Sequence, residues 1–206
     1  MKSFFLKVTV LIAACTIASD AYAQRGPQGG TAEVAIGTGY AYLNTGNDTV
    51  TGKKNHPEFH VSLSYNILKQ LAVGFEYALV PLDSEQQFGV KFTEHLRNFG
   101  GVGRVGLFQT HGAMPYVLIS GGEISLLNKG SLGNQNESYT QSGTYFGTGG
   151  GVNLYLPHGF GVRPEFRFQR QSLRATSGNN INLSDLNRNE LAVTGTLFYS
   201  FGKTHR

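Results

Sequence analysis

Arg163, Glu165 and Arg167 alternate with Val162, Pro164, Phe166 and Phe168 in one short run. Charges at every second position share one face of an extended strand and leave the other face apolar. Glu76, Arg104 and Glu123 join them in the same phase of their own runs. Both signs occur, so the six can pair. Charges held away from water are costly unless paired and hydrogen-bonded, so an ion-pair network is expected. Its chemistry allows two roles: a narrow polar path for small solutes, or a packed polar plug. The plug is the favoured reading.

Other chemistry has weaker support. His56 and His60 share a strand face, but four residues of strand separate them by roughly 13 Å. One metal ion cannot bridge that gap. His111 and His158 fall in turns, and no metal or other cofactor is expected. Gly101-Val102-Gly103-Arg104-Val105-Gly106 matches a dinucleotide fingerprint. Such a loop must open a helix. Here Leu107-Phe108-Gln109-Thr110-His111-Gly112 follows, which reads as strand and turn. The glycines instead make room for bulky neighbours in a narrow interior. His60, Ser62 and Ser64 share the inward face, so a lipid-modifying enzyme is a distant alternative. No nucleophile motif accompanies them, and a non-enzyme is expected. The pI near 9.2 does not point to nucleic acid, because the basic residues alternate with apolar ones and are interleaved with acids.

The elements that must position these residues are strands. From residue 31 the dominant period is two. Val34, Ile36, Tyr40 and Tyr42 share one face of the first run. Phe59, Val61, Leu63, Tyr65 and Ile67 do so in the second, and Leu71, Val73, Phe75, Tyr77 and Leu79 in the third. Further runs lie near 99–110, 115–127, 144–156, 160–171 and 189–201. The opposite faces are mostly Gly, Ala, Ser and Thr with a few charges, which would make a poor hydrophobic core. A soluble β-sandwich would bury its apolar face. Here Phe and Tyr reach nearly to both ends of most strands, as in the aromatic girdles of a membrane barrel.

The connections alternate in length. Those near 68–70, 111–114 and 157–159 are short. Those near 44–55, 81–98, 128–143 and 173–188 are long and polar. That asymmetry predicts an all-β fold: an eight-stranded antiparallel up-and-down transmembrane β-barrel with periplasmic turns and four extracellular loops. In residues 81–98, Phe88, Val90 and Phe92 alternate, so this loop is open to extension as strand or hairpin. Residues 128–143 and 173–188 carry few apolar anchors, and no partner-binding hot spot is visible in them.

The N-terminus reads as an export signal over residues 1–23. Lys2 and Lys7 precede an apolar stretch from Val8 to Ala18, and Ala21-Tyr22-Ala23 is an A-x-A site. Cleavage between Ala23 and Gln24 leaves residues 24–206 as the barrel domain and removes Cys15, the only cysteine. The rival is a lipoprotein signal, Ile12-Ala13-Ala14-Cys15, with Cys15 lipidated.

Together the signal sequence, the eight runs, the loop asymmetry and the ending Leu197-Phe198-Tyr199-Ser200-Phe201 resemble the OmpA-like transmembrane domain and the opacity-type and OmpX-like small barrels. The resemblance covers nearly all of 31–201. The terminal aromatic strand is similar to the one by which such barrels are recognised for assembly. Gly202-Lys203-Thr204-His205-Arg206 follows it, whereas the family often stops at the aromatic residue. The resemblance implies a monomeric outer membrane protein that contacts outer membrane lipids and the barrel assembly machinery. The function expected is non-catalytic: four displayed loops serving envelope integrity, adhesion or an unknown surface ligand. A narrow pore for small solutes is the alternative.

Overall fold

A computed structural model describes residues 29–45, 55–82, 86–87, 90–110, 112–132, 135–174, 176–178, 181–183 and 185–202. The expected signal peptide, the Ala23–Gln24 cleavage site, Cys15 and His111 lie outside the described residues.

The alternating runs form β1 (Thr31–Thr45), β2 (Asn55–Leu68), β3 (Leu71–Pro81), β4 (Gln86–Gln87), β5 (Val90–Gly106), β6 (Ala113–Leu132), β7 (Gln135–Tyr155), β8 (Phe160–Leu173), β9 (Thr176–Gly178), β10 (Ile181–Leu183) and β11 (Leu186–Phe201). Eight of these are long. They pair antiparallel in chain order, β1 through β3 to β5, β6, β7, β8 and β11, and β11 returns to β1. The sheet is therefore a closed eight-stranded up-and-down barrel. Closure satisfies every wall edge, which lipid demands because hydrocarbon offers no hydrogen-bond partners. No helix among the described residues is long and apolar enough to cross a membrane, which says nothing of strands.

The polarity of the wall is inverted relative to a soluble barrel. Ile36, Tyr40, Leu63, Phe75, Ile119 and Phe146 are all at least half exposed on the outer face. Glu58, Glu76, Arg163, Arg167, Gln169 and Glu190 are buried inside. A continuous apolar outer belt of this size has no rationale in water and is what a lipid-facing wall requires.

Close approach in the narrow lumen depends on glycine. Phe198 points inward, and its ring occupies the space that a Cβ on Gly161 would take. At the β7–β8 turn, His158 adopts a left-handed φ of 65° and Gly159 follows at 85°. Pro164 lacks an N–H, and the β7–β8 ladder skips from Gly151↔Glu165 to Leu154↔Val162 around it. A side-chain bond spans that break: Arg163 Nε donates to Asn153 Oδ1 at 2.6 Å.

The strands run longer than the sequence pattern indicates. Residues 90–98 lie in the connection that the alternation of Phe88, Val90 and Phe92 leaves open to extension as strand or hairpin; they belong to β5, which pairs with β3 as far as Pro81↔His95 and with β4 beyond, while Phe88 lies outside the described residues. Residues 128–132 and 135–143, expected in a loop, continue β6 and β7. Pairing continues there after the apolar alternation has ended, because a strand clear of lipid needs no apolar face.

Candidate functional site

The lumen is where the charged residues converge. On β8, Arg163, Glu165 and Arg167 all point inward and are at most 5% exposed. The period of two that separates them from Pro164, Phe166 and Phe168 dictates this, since the apolar partners must meet lipid.

Arg167 grips Glu76 of β3 from the far wall. Its Nη1 donates to Oε1, and its Nη2 donates to Oε2 at 2.8 Å. Nη2 also donates to Glu165 Oε1. Arg104 of β5 lies between the two acids, 3.9 Å from Glu76 and 3.8 Å from Glu165, and donates to Ser64 Oγ at 3.0 Å. The Tyr116 hydroxyl of β6 donates to the second oxygen of Glu165. Closer to the turns, Arg163 donates to Glu33 of β1 and stacks 4.7 Å from the Phe198 ring centre. Three guanidinium groups thus meet three carboxylates: Glu33, Glu76 and Glu165. Buried charge is tolerable in this form because each ion has opposite partners.

Glu76, Arg104, Arg163, Glu165 and Arg167 therefore sit together. Glu123 does not. It is exposed on the outer face of β6, opposite Phe99 of β5 and Thr144 of β7. The expected placement was one residue out of phase. Its neighbour Ile124 takes the inward position, at 1% exposure. The reason is local: at this height the lumen is apolar, so Ile124 gains more from burial than Glu123 could.

That apolar layer closes the loop-side half. Ala41, Val80, Leu96, Ile124, Leu126, Tyr145 and Leu173, contributed by six strands, form one buried cluster. Beside it runs a second polar chain. Arg188 Nε donates to Gln171 Oε1 at 2.6 Å, and Gln171 Nε2 donates to Glu190 Oε2 at 2.8 Å. Across the lumen Asn98 donates to Gln169 Oε1 at 3.3 Å.

Sequence reasoning left Glu33, Glu58, Tyr116, Arg188 and Glu190 out of the network. The signal for Glu33 and Glu190 was present, since each alternates with an outward apolar residue, Val34 and Leu191.

Glu58, His60 and Thr196 form an acid–imidazole–hydroxyl row. His60 Nε2 lies 2.8 Å from Thr196 Oγ1, and Nδ1 lies 4.0 Å from Glu58. The row has the residue types of a relay, but the acid contact is too long for a hydrogen bond. Thr196 is 2% exposed inside the wall, beyond the reach of a substrate. Among the described residues, no group of three or more His, Cys, Asp and Glu is placed to hold a metal.

No protein-family model and no curated protein matches the sequence. Solved structures do. Neisserial surface protein A is similar with a TM-score of 0.60 at 11% identity, covering 84% of this chain and 99% of that one. The attachment invasion locus protein of Yersinia pestis has a TM-score of 0.55 at 15% identity, covering 84% of this chain and 100% of that one. A major outer membrane protein of Thermus thermophilus has a TM-score of 0.52 at 9% identity, covering 82% of this chain and 99% of that one. The chain has the fold of the small eight-stranded outer membrane β-barrels.

Proposed function

We propose that this chain is a non-catalytic integral protein of a bacterial outer membrane. In this reading the barrel is a plugged anchor, and the wall that rises from it presents a surface for adhesion, recognition or envelope integrity. The export signal over 1–23, with a mature start at Gln24, belongs to the same proposal. So do the monomeric state, the contact with outer membrane lipids and the passage through the barrel assembly machinery.

The observation that carries the reading is strand length. A tilted strand crosses a bilayer in about 9–11 residues. β6 has 20 residues and β7 has 21. On the outer faces of these strands the large exposed apolar side chains reach Ile119 and Phe146, with Leu127 of β6 an isolated, half-buried apolar residue further on. Glu123, Ser142 and Thr144 follow on the loop side and are polar. About half of each strand is therefore surplus to the crossing, and it projects from the loop end. The word attachment in the name of the Yersinia protein belongs to that protein; here a surface role rests on the projecting hairpin.

The test is an epitope tag inserted between Leu132 and Gln135, with a second variant tagged at His158. Antibody added to intact cells should bind the first and not the second until the outer membrane is opened. Binding to the second alone would invert the orientation and remove the surface role.

A further inference from the structure

The charges of this chain sort by their place in the fold. Among the described residues, five buried glutamates share the lumen with four buried arginines. At the loop end, residues 44–57, 81–98, 123–143 and 170–187 contain seven Asp and Glu and seven Lys and Arg. The turn end is different. Residues 24–31, 67–71, 105–114, 156–160 and 200–206 join the wall there, because β1 begins and β11 ends beside the three short turns. They contain Arg25, Lys69, Lys203 and Arg206 and no Asp or Glu. The net positive charge of residues 24–206 therefore comes entirely from this end. Glu33, the acid of β1, does not offset it, since it is turned inward, buried and held by Arg163.

The same end is flush with the apolar belt. Leu68, Leu107, Phe108, Leu156, Phe160 and Phe201 are all exposed at or beside the turns. Leu68 directly precedes Lys69, which is exposed in the turn between β2 and β3. Lys203 follows Phe201 by two positions, so the chain allows its Cα no more than about 7 Å from that residue. A cation at the edge of an apolar, aromatic belt stands at the depth of lipid headgroups. Anionic headgroups attract Lys and Arg at that depth, and the attraction grows with each one near the surface.

We propose that the turn end is a docking surface for anionic phospholipid headgroups in the leaflet that surrounds it, phosphatidylglycerol being the simplest. The proposal rests on the reading of this chain as an integral membrane barrel. Lys69 donates to the headgroup phosphate from the first turn. Arg25, Lys203 and Arg206 add positive charge where the two terminal segments join the wall, and Leu68 and Phe201 meet the acyl chains. A zwitterionic headgroup carries the same phosphate with its charge cancelled, so the surface selects by net charge.

The experiment uses residues 24–206 folded into vesicles of phosphatidylcholine with a minority of phosphatidylglycerol. Insertion is read first, by the heat-modifiable gel shift. A chain that fails to insert contradicts the membrane reading, and the proposal with it. The inserted barrel is then extracted in mild detergent, and its retained lipids are identified by mass spectrometry. Phosphatidylglycerol should be enriched severalfold over the vesicle composition, and the enrichment should fall as salt is raised. That salt dependence is read on the wild type and stands even where a variant inserts poorly. The triple variant Lys69→Gln, Lys203→Gln, Arg206→Gln should insert and lose the enrichment. The matched triple Arg97→Gln, Arg170→Gln, Arg174→Gln removes equal charge from exposed positions at the loop end and should keep most of it. Retained lipid that matches the vesicle composition overturns the proposal. So does equal loss in the two triple variants, which marks a response to net charge alone. Sedimentation of the detergent-held barrel with cell-wall sacculi, with no phosphatidylglycerol enrichment, also overturns it and makes an acidic polymer the occupant.

Discussion

Arg167 and Glu76 stand 91 residues apart in the chain and meet across the lumen in a two-pronged ion pair. Each is buried, and Glu165 and Arg104 flank them. Removing one member of such a pair leaves a charge with no means of hydration. Glu76→Ala is expected to cost about 3–5 kcal/mol of barrel stability. Arg167→Ala should cost a similar amount, and the double variant less than the sum of the two. Urea unfolding in lipid vesicles, run as a double-mutant cycle, checks this. Additive losses would mean that the two residues do not share a network.

The faces of the wall predict a contrast between two outward positions. Phe166 is 49% exposed in the middle of the β8 run, where lipid surrounds the barrel. Phe166→Arg should cost roughly 2–4 kcal/mol, the usual load of an arginine near the bilayer midplane. Glu123 lies on the same outer face but at the loop-side margin of the apolar belt, beside Phe99. Glu123→Ala should change stability by no more than about 0.5 kcal/mol. The heat-modifiable gel shift, which separates folded from unfolded barrel, reads both. A large loss from Glu123→Ala would return that residue to the lumen and displace the register of β6.

A third expectation concerns Gly161. The tip of the Phe198 ring lies against it, and Arg163 stacks over the same ring. Gly161→Val forces the ring off its seat, and overpacking of this kind costs about 1–3 kcal/mol. Relief should come from Phe198→Leu in the same chain, which returns part of the volume. Normal unfolding of Gly161→Val would show that Phe198 does not lie where the lumen needs it.

Much of this was legible in the residues. Period-two alternation located the eight long strands, and the apolar face of β8 forced Arg163, Glu165 and Arg167 inward. Two features were hidden for physical reasons. Gly121 and Gly122 precede Glu123, and two small residues in succession carry no phase. The charge was therefore assigned inward by type, whereas the apolar layer around Leu96 and Leu126 draws Ile124 inward instead. The loop-side halves of β6 and β7 were hidden because alternation reports lipid contact. Ser138 or Ser142 can pair in a ladder without any apolar partner, so the pattern falls silent where the membrane ends. The projection that carries the proposed function lies in that silent stretch.

The account rests on a lumen filled by ion pairs at one end and by an apolar cluster with its own polar chain at the other. Single-channel recording on the folded protein in a planar bilayer tests it most directly. The filled lumen predicts no steady conductance, and Arg167→Ala, which removes a side chain that spans the lumen to Glu76, predicts brief openings above that silent baseline. Steady, ion-selective conductance from the wild-type barrel would contradict the plug and make the charged network the wall of a pore.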